Sequence, residues 1–136
     1  MVRNIVTTPL LLRMPSAPAT PNDIGVGQDL LDTLAAHAHE CVGMAANMIG
    51  VRKRIIVVDD DGHAFLMFNP QVLERSGAYD TEESCLSLVG SRPCTRYRRI
   101  TVSWRDSDWV EHTQAFSGFT AQIIQHEVDH CEGIVI

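Results

Sequence analysis

The 136-residue chain has no long hydrophobic run. Near the N-terminus the longest is Leu10-Leu11-Leu12, closed by Arg13. That is too short for a secretory leader, and no stretch approaches the roughly 20 apolar residues of a membrane span. A cytoplasmic protein with no membrane partner is expected. The four cysteines (Cys41, Cys85, Cys94, Cys131) lack any Cys-x-x-Cys spacing. This argues against a zinc ribbon or a thioredoxin-like pair, and for free thiols or metal ligands in a reducing compartment. Excess positive charge is missing as well: eleven Lys and Arg stand against seventeen Asp and Glu, a formal charge of −6. With no overall basic balance to neutralise phosphates, direct DNA binding is not expected. The local group Arg92, Arg96, Arg98 and Arg99 reads as a solvated face. Repeats and low-complexity tracts are absent too. What is present, 45% hydrophobic and 21% charged residues, suits one domain over residues 1–136 with a real core.

Four of the six prolines fall within residues 1–28, which read as an irregular arm. Asp29 to Cys41 carries Leu30, Leu31, Leu34, Ala35 and Ala38 at helical spacing, with Gly43 as the stop. Arg54–Asp59 is β-branched and ends at the turn signal Asp60-Asp61-Gly62, so Ala64–Phe68 completes a hairpin. Val72–Glu74, Arg99–Trp104 and Trp109–Ala115 read as further strands, the last two joined at Asp106-Ser107-Asp108. A second helix runs from Ser117, a candidate N-cap, to Cys131, with Phe119, Ile123, Ile124 and Val128 on its apolar side. The fold class is α+β, antiparallel strands packed around a C-terminal helix.

That helix contains His126-Glu127-Val128-Asp129-His130. Four residues at 100° each leave the two histidines about 40° apart, so both imidazoles project from one face and can share a divalent ion. Glu127 lies on the shoulder of that face, within reach of a water on the ion. A catalytic site needs a third protein ligand and an open position. Glu132, only two residues beyond His130, points around the helix, so the third donor comes from upstream. Cys85 is the candidate there, its competing reading a buried apolar thiol.

Three segments in order resemble the peptide deformylase family: Gly43-Met44-Ala45-Ala46, Glu83-Ser84-Cys85-Leu86-Ser87, and the His126–His130 box. The opening Pro9-Leu10-Leu11-Leu12-Arg13 is similar to the family's first segment. The resemblance implies a deformylase-like fold in which Cys85, His126 and His130 hold the metal and Glu127 is the general acid/base. It places the Leu86 main-chain N–H at the oxyanion, Glu83 and Arg96 as a brace for the cysteine loop, and Val42, Gly43, Phe119, Gln122 and Ile123 around a methionine side chain. The implied reaction removes the formyl group from N-formylmethionyl nascent peptides, with room for a transient ribosome contact. One thiolate and two imidazoles suit Fe2+, Zn2+, Ni2+ or Co2+, and the family implies Fe2+.

Three positions depart from the family pattern. Cys41 and Ser84 replace glycines, which needs a negative local φ. Met48 replaces a glutamine whose amide donates to the oxyanion, and a thioether donates nothing. The neighbouring Asn47 carries an amide, and a shift of register would bring it into that role. The sequence runs only six residues past His130, so the C-terminal helical extension that many relatives carry, and ribosome docking through it, are not expected here. Met48 also motivates other readings: a paralogue with weak or altered amidase activity, or a metal-stabilised binding protein without turnover.

Overall fold

β-Branched and aromatic residues organise the chain into five antiparallel strands in sequential order, β1 Gly43–Ala45, β2 Ile55–Asp60, β3 His63–Ser84, β4 Ser91–Arg105 and β5 Glu111–Ser117. The computed structural model describes residues 1–135. Among the described residues three α-helices, α1 Pro9–Leu12, α2 Ile24–Ala36 and α3 Gly118–Cys131, and two short 3-10 turns at Pro21–Asp23 and Ala46–Ile49 accompany the sheet. The expected α+β class holds, with α3 packed against β1, β2 and β4.

Ile55, Ile56, Val57 and Val58 of β2 are all fully buried because the strand is covered by α2 and α3. A continuous apolar run, rather than alternation, is what such a strand requires. Leu12, Leu30, Met44, Phe68, Ile100 and Ile124 fill the rest of the core without exposure.

Several boundaries differ from expectation. Helix α2 begins at Ile24, inside the supposed irregular arm, and ends at Ala36 rather than near Cys41. Gly27 is where the helix meets the sheet: a Cβ there would lie 2.8 Å from Leu66 and Phe68 side-chain atoms. The two strands expected at Ala64–Phe68 and Val72–Glu74 are one 22-residue strand, β3. Pro70 lies inside it, at a register shift between Phe68 and Gln71, where a ladder tolerates a residue lacking N–H. Ser117 occupies the cap position of α3 but makes no side-chain capping bond.

The N-terminal arm is tied to the end of α3. Ser16 N–H donates to the Cys131 carbonyl at 2.9 Å. Gly133, at φ +76°, lets the chain turn there; a Cβ on it would fall 2.4 Å from the Arg13 carbonyl oxygen, so only glycine fits.

Candidate metal centre

Strands β3 and β4 form a long hairpin, and Cys85 is the first residue of the turn that joins them. The turn leans toward α3, whose His126 and His130 face it. Cys85 Sγ lies 3.3 Å from His130 Nε2, and His130 Nε2 lies 3.2 Å from His126 Nε2. All three donor atoms are within 4.8 Å of one another, and all three residues are buried. A tetrahedral ion with typical zinc–sulfur and zinc–nitrogen bonds would separate such donors by about 3.4–3.6 Å. The donor set and its spacing therefore fit a single divalent cation. Glu127 Oε1 points to the same conclusion: it is buried and lacks a hydrogen-bond partner among the described residues.

A carboxylate behind His126 holds it. Glu83 Oε1 lies 2.8 Å from His126 Nδ1, Gln122 donates to Glu83 Oε2 at 2.8 Å, and Arg96 donates to both Glu83 oxygens through Nε and Nη2 at 2.7–3.1 Å. Arg96 Nη1 also reaches Asp129 at 2.6 Å. One guanidinium thus joins the hairpin to the helix between the two histidines. Arg96 is only 4% exposed, which corrects its place in the expected solvated arginine face.

The electrostatics divide the two imidazoles. Burial opposes charge on His126, but the Glu127 carboxylate and hydrogen bonds with Cys85 and Glu83 outweigh it and raise its pKa to about 10. Burial, reinforced by the positive charges of His126 and Arg96, lowers that of His130 to about 3. Glu83 stays far below the usual carboxylate range because bonds from His126, Arg96 and Gln122 overcome its burial. Glu127 goes the other way, desolvation carrying it up to about 7 against the pull of His126. To hold a cation with the other two donors, His126 would have to give up its proton, since only neutral imidazole is a ligand.

Residues 2–136 match the family model for polypeptide deformylase. The chain belongs to the peptide deformylase family. It is 51% identical over 136 residues to a peptide deformylase of Clostridium beijerinckii, covering the whole of both chains. Over 111 residues it is 38% identical to peptide deformylase 1 of Clostridium perfringens, covering 79% of this chain and 74% of that one. Among solved structures it is similar to the peptide deformylase of Thermotoga maritima, with a TM-score of 0.90 and 26% identity over 99% of this chain and 95% of that one. A class I type b peptide deformylase from Acinetobacter baumannii, bound to Met-Ala-Ser, gives a TM-score of 0.88 and 28% identity over 99% and 97%. With the Cys/His/His donors in place, the activity is peptide deformylase activity, a hydrolase reaction at a metal site.

A cleft of about 610 Å³ opens onto the cluster and is lined by Val42, Gly43, Met48, Leu86, Phe119, Gln122, Ile123 and Glu127, among others. Phe119 is 62% exposed at its mouth and Val42 is 38% exposed. Gly43 is packed directly on the acid: a Cβ there would sit 2.9 Å from Glu127 Oε2 and 2.6 Å from Ile123 Cγ2. Neither Cys41 nor Ser84 has positive φ, so their side chains cost no backbone strain. Met48 does occupy the cleft wall, its sulfur accepting the Ala45 N–H at 3.4 Å.

Asn47 does not take over the amide role expected of it. Its Nδ2 donates to the His130 carbonyl at 2.8 Å and to the Leu12 carbonyl at 3.5 Å, away from the cleft. Sequence reasoning also missed Asp129 as an Arg96 partner and Gln125, whose amide bonds both the N–H and the carbonyl of Tyr97 on β4. No sequence pattern signals a side chain that bonds main chain on a distant element.

Proposed function

We propose that Cys85, His126 and His130 are the metal ligands and Glu127 the proton carrier in removal of the formyl group from N-formylmethionyl peptides. A divalent ion on these donors supplies Lewis acidity, lowering the pKa of water and polarising the formyl carbonyl. Glu127, whose burial brings its pKa near neutrality, takes a proton from the water that adds to the formyl carbon. It returns that proton to the amine nitrogen as the C–N bond breaks, giving formate and a free α-amine. The Leu86 main-chain N–H, next to Cys85 at the cleft, donates to the oxygen as negative charge develops there. Val42, Phe119 and Ile123 offer apolar contact to the methionine side chain, and Gly43 leaves room for Glu127. The 3.2–3.3 Å convergence of one thiol and two imidazoles beside an unpartnered Glu127 oxygen carries this reading.

The A. baumannii relative bound to Met-Ala-Ser supports a short methionyl peptide in the same cleft. Fe2+ is the proposed native ion, a soft thiolate with two nitrogens suiting it as well as Zn2+, Ni2+ or Co2+. Newly made formylated chains are the proposed substrates, met in the cytoplasm with a transient contact to the ribosome. No described helix is long and apolar enough to cross a membrane.

Iron-loaded protein, handled without oxygen, is expected to release formate from formyl-Met-Ala-Ser. Glu127→Ala should abolish release while the ion stays bound, whereas Cys85→Ser should lose the ion. Formate release undiminished in Glu127→Ala would contradict the assigned role.

A further inference from the structure

The two histidines are supported unequally. His126 has its outer ring nitrogen against Glu83 at 2.8 Å, whereas the outer nitrogen of His130, Nδ1, is buried without a hydrogen-bond partner among the described residues. Ligating imidazoles almost always donate that second N–H to something, which fixes tautomer and ring orientation. Buried polar atoms left without a partner are rare. Of the other buried oxygens without a partner among the described residues, which include Ser87 Oγ two residues after Cys85, Asn47 Oδ1 belongs to a residue already bonded to His130, its Nδ2 donating to the His130 carbonyl at 2.8 Å. When His130 Nε2 faces a cation, its proton resides on Nδ1. A spare donor and a spare acceptor therefore sit on two residues already joined by a hydrogen bond.

We propose that Asn47 is a positioning residue for His130. Nδ2 holds the ligand's main chain at the end of α3. Oδ1 takes the ring Nδ1–H through one buried water, a bridge that costs little entropy and satisfies both groups. The tautomer so fixed leaves Nε2 free for the ion. The assignment rests on the reading of Cys85, His126 and His130 as ligands. It gives Asn47 a function separate from the oxyanion, and one that operates whether or not substrate is present.

The test uses Co2+ as probe on the full chain: affinity by competition with a chelator, the ligand-field absorption spectrum, and the melting temperature of metal-free protein. Asn47→Leu keeps the volume and loses both polar functions, and it should weaken Co2+ binding by about 10- to 100-fold and shift the ligand-field bands. Asn47→Asp retains the oxygen acceptor and should bind Co2+ more tightly than Asn47→Leu. Asn47→Ala, which also lacks any side-chain donor or acceptor, serves as the apolar variant's replacement if that protein does not fold, with a loss in the same range expected. Wild-type affinity and spectrum in the folded variants, with only the melting temperature lowered, would overturn the proposal, as would Asn47→Asp binding no better than Asn47→Leu. Formate release by wild type, measured alongside, separates the two readings: its absence counts against the proposed reaction and leaves the dependence of Co2+ affinity on Asn47 to be judged by itself.

Discussion

Adding a single methyl group at Gly43 tests the closeness of β1 to α3. Its Cβ would lie 2.6 Å from Ile123 Cγ2, 2.9 Å from Glu127 Oε2 and 3.2 Å from Glu127 Cγ. Carbon atoms rest at about 3.5–4.0 Å, so Ile123 must retreat by about 1 Å and Glu127 by several tenths. Ile123 and Glu127 are one helical turn apart on α3, and both are buried, so neither can swing into solvent. Overpacking of this kind costs about 1–3 kcal/mol, which for a chain of this length lowers the melting temperature by roughly 3–10 °C. The larger effect is expected on the reaction, because Glu127 is the proposed proton carrier and misplacing such a group by about 1 Å can cost about 10²-fold. The measurement is kcat/KM for formate release by Gly43→Ala at matched metal content. Gly25→Ala is the control: it lies in α2, nothing stands within 4 Å of its Cβ, and helix propensity predicts a gain of about 0.5–1 kcal/mol with activity unchanged. A Gly43→Ala enzyme within twofold of wild type would show that Glu127 has slack the packing denies.

Two further outcomes concern the clamp and the cleft wall. Arg96→Met leaves Glu83 buried without its guanidinium, and removing one partner of a buried ion pair should lower unfolding free energy by about 3–5 kcal/mol. Chemical denaturation reads this, and a loss below about 1 kcal/mol would mean the clamp of Arg96 on Glu83 and Asp129 is largely offset by desolvation. Met48→Gln restores an amide donor at the buried position lining the cleft, and should raise kcat by up to roughly 10²-fold, the usual scale of one oxyanion donor; an unchanged or lower kcat would place the position out of reach of the reacting oxygen.

The site was far more legible in the sequence than the frame that carries it. His126 and His130 could be paired because helical geometry alone puts positions four apart on one face. Cys85 could be named as an upstream candidate, but only the resemblance chose it over a buried apolar thiol, since no periodicity joins it to the histidines. Where local signals competed with tertiary packing they misled: the proline-rich residues 1–28 read as an irregular arm, but α2 begins at Ile24 and Gly27 is its contact point with Leu66 and Phe68, and the strands read apart at Ala64–Phe68 and Val72–Glu74 are one, Pro70 riding a register shift. Arg96 looked like one more surface cation, and only the fold shows Glu83 and Asp129 closing on it. Asn47 was illegible for a different reason. Its partner is a carbonyl 83 residues away, and main chain has no letter.

The clamp formed by Arg96 also bears on how the centre could come apart. Its guanidinium grips Glu83, two residues before Cys85, and Asp129, one residue before His130. The thiol therefore cannot draw away from the imidazoles unless the hairpin lifts from the helix, and that lift must first break the buried ion pairs. Local opening of this sort has its own free energy, distinct from global unfolding. Escape of a bound ion into excess chelator would then proceed at the pace of that opening and level off as chelator is raised, so that the ion's residence time becomes a clock for the hairpin.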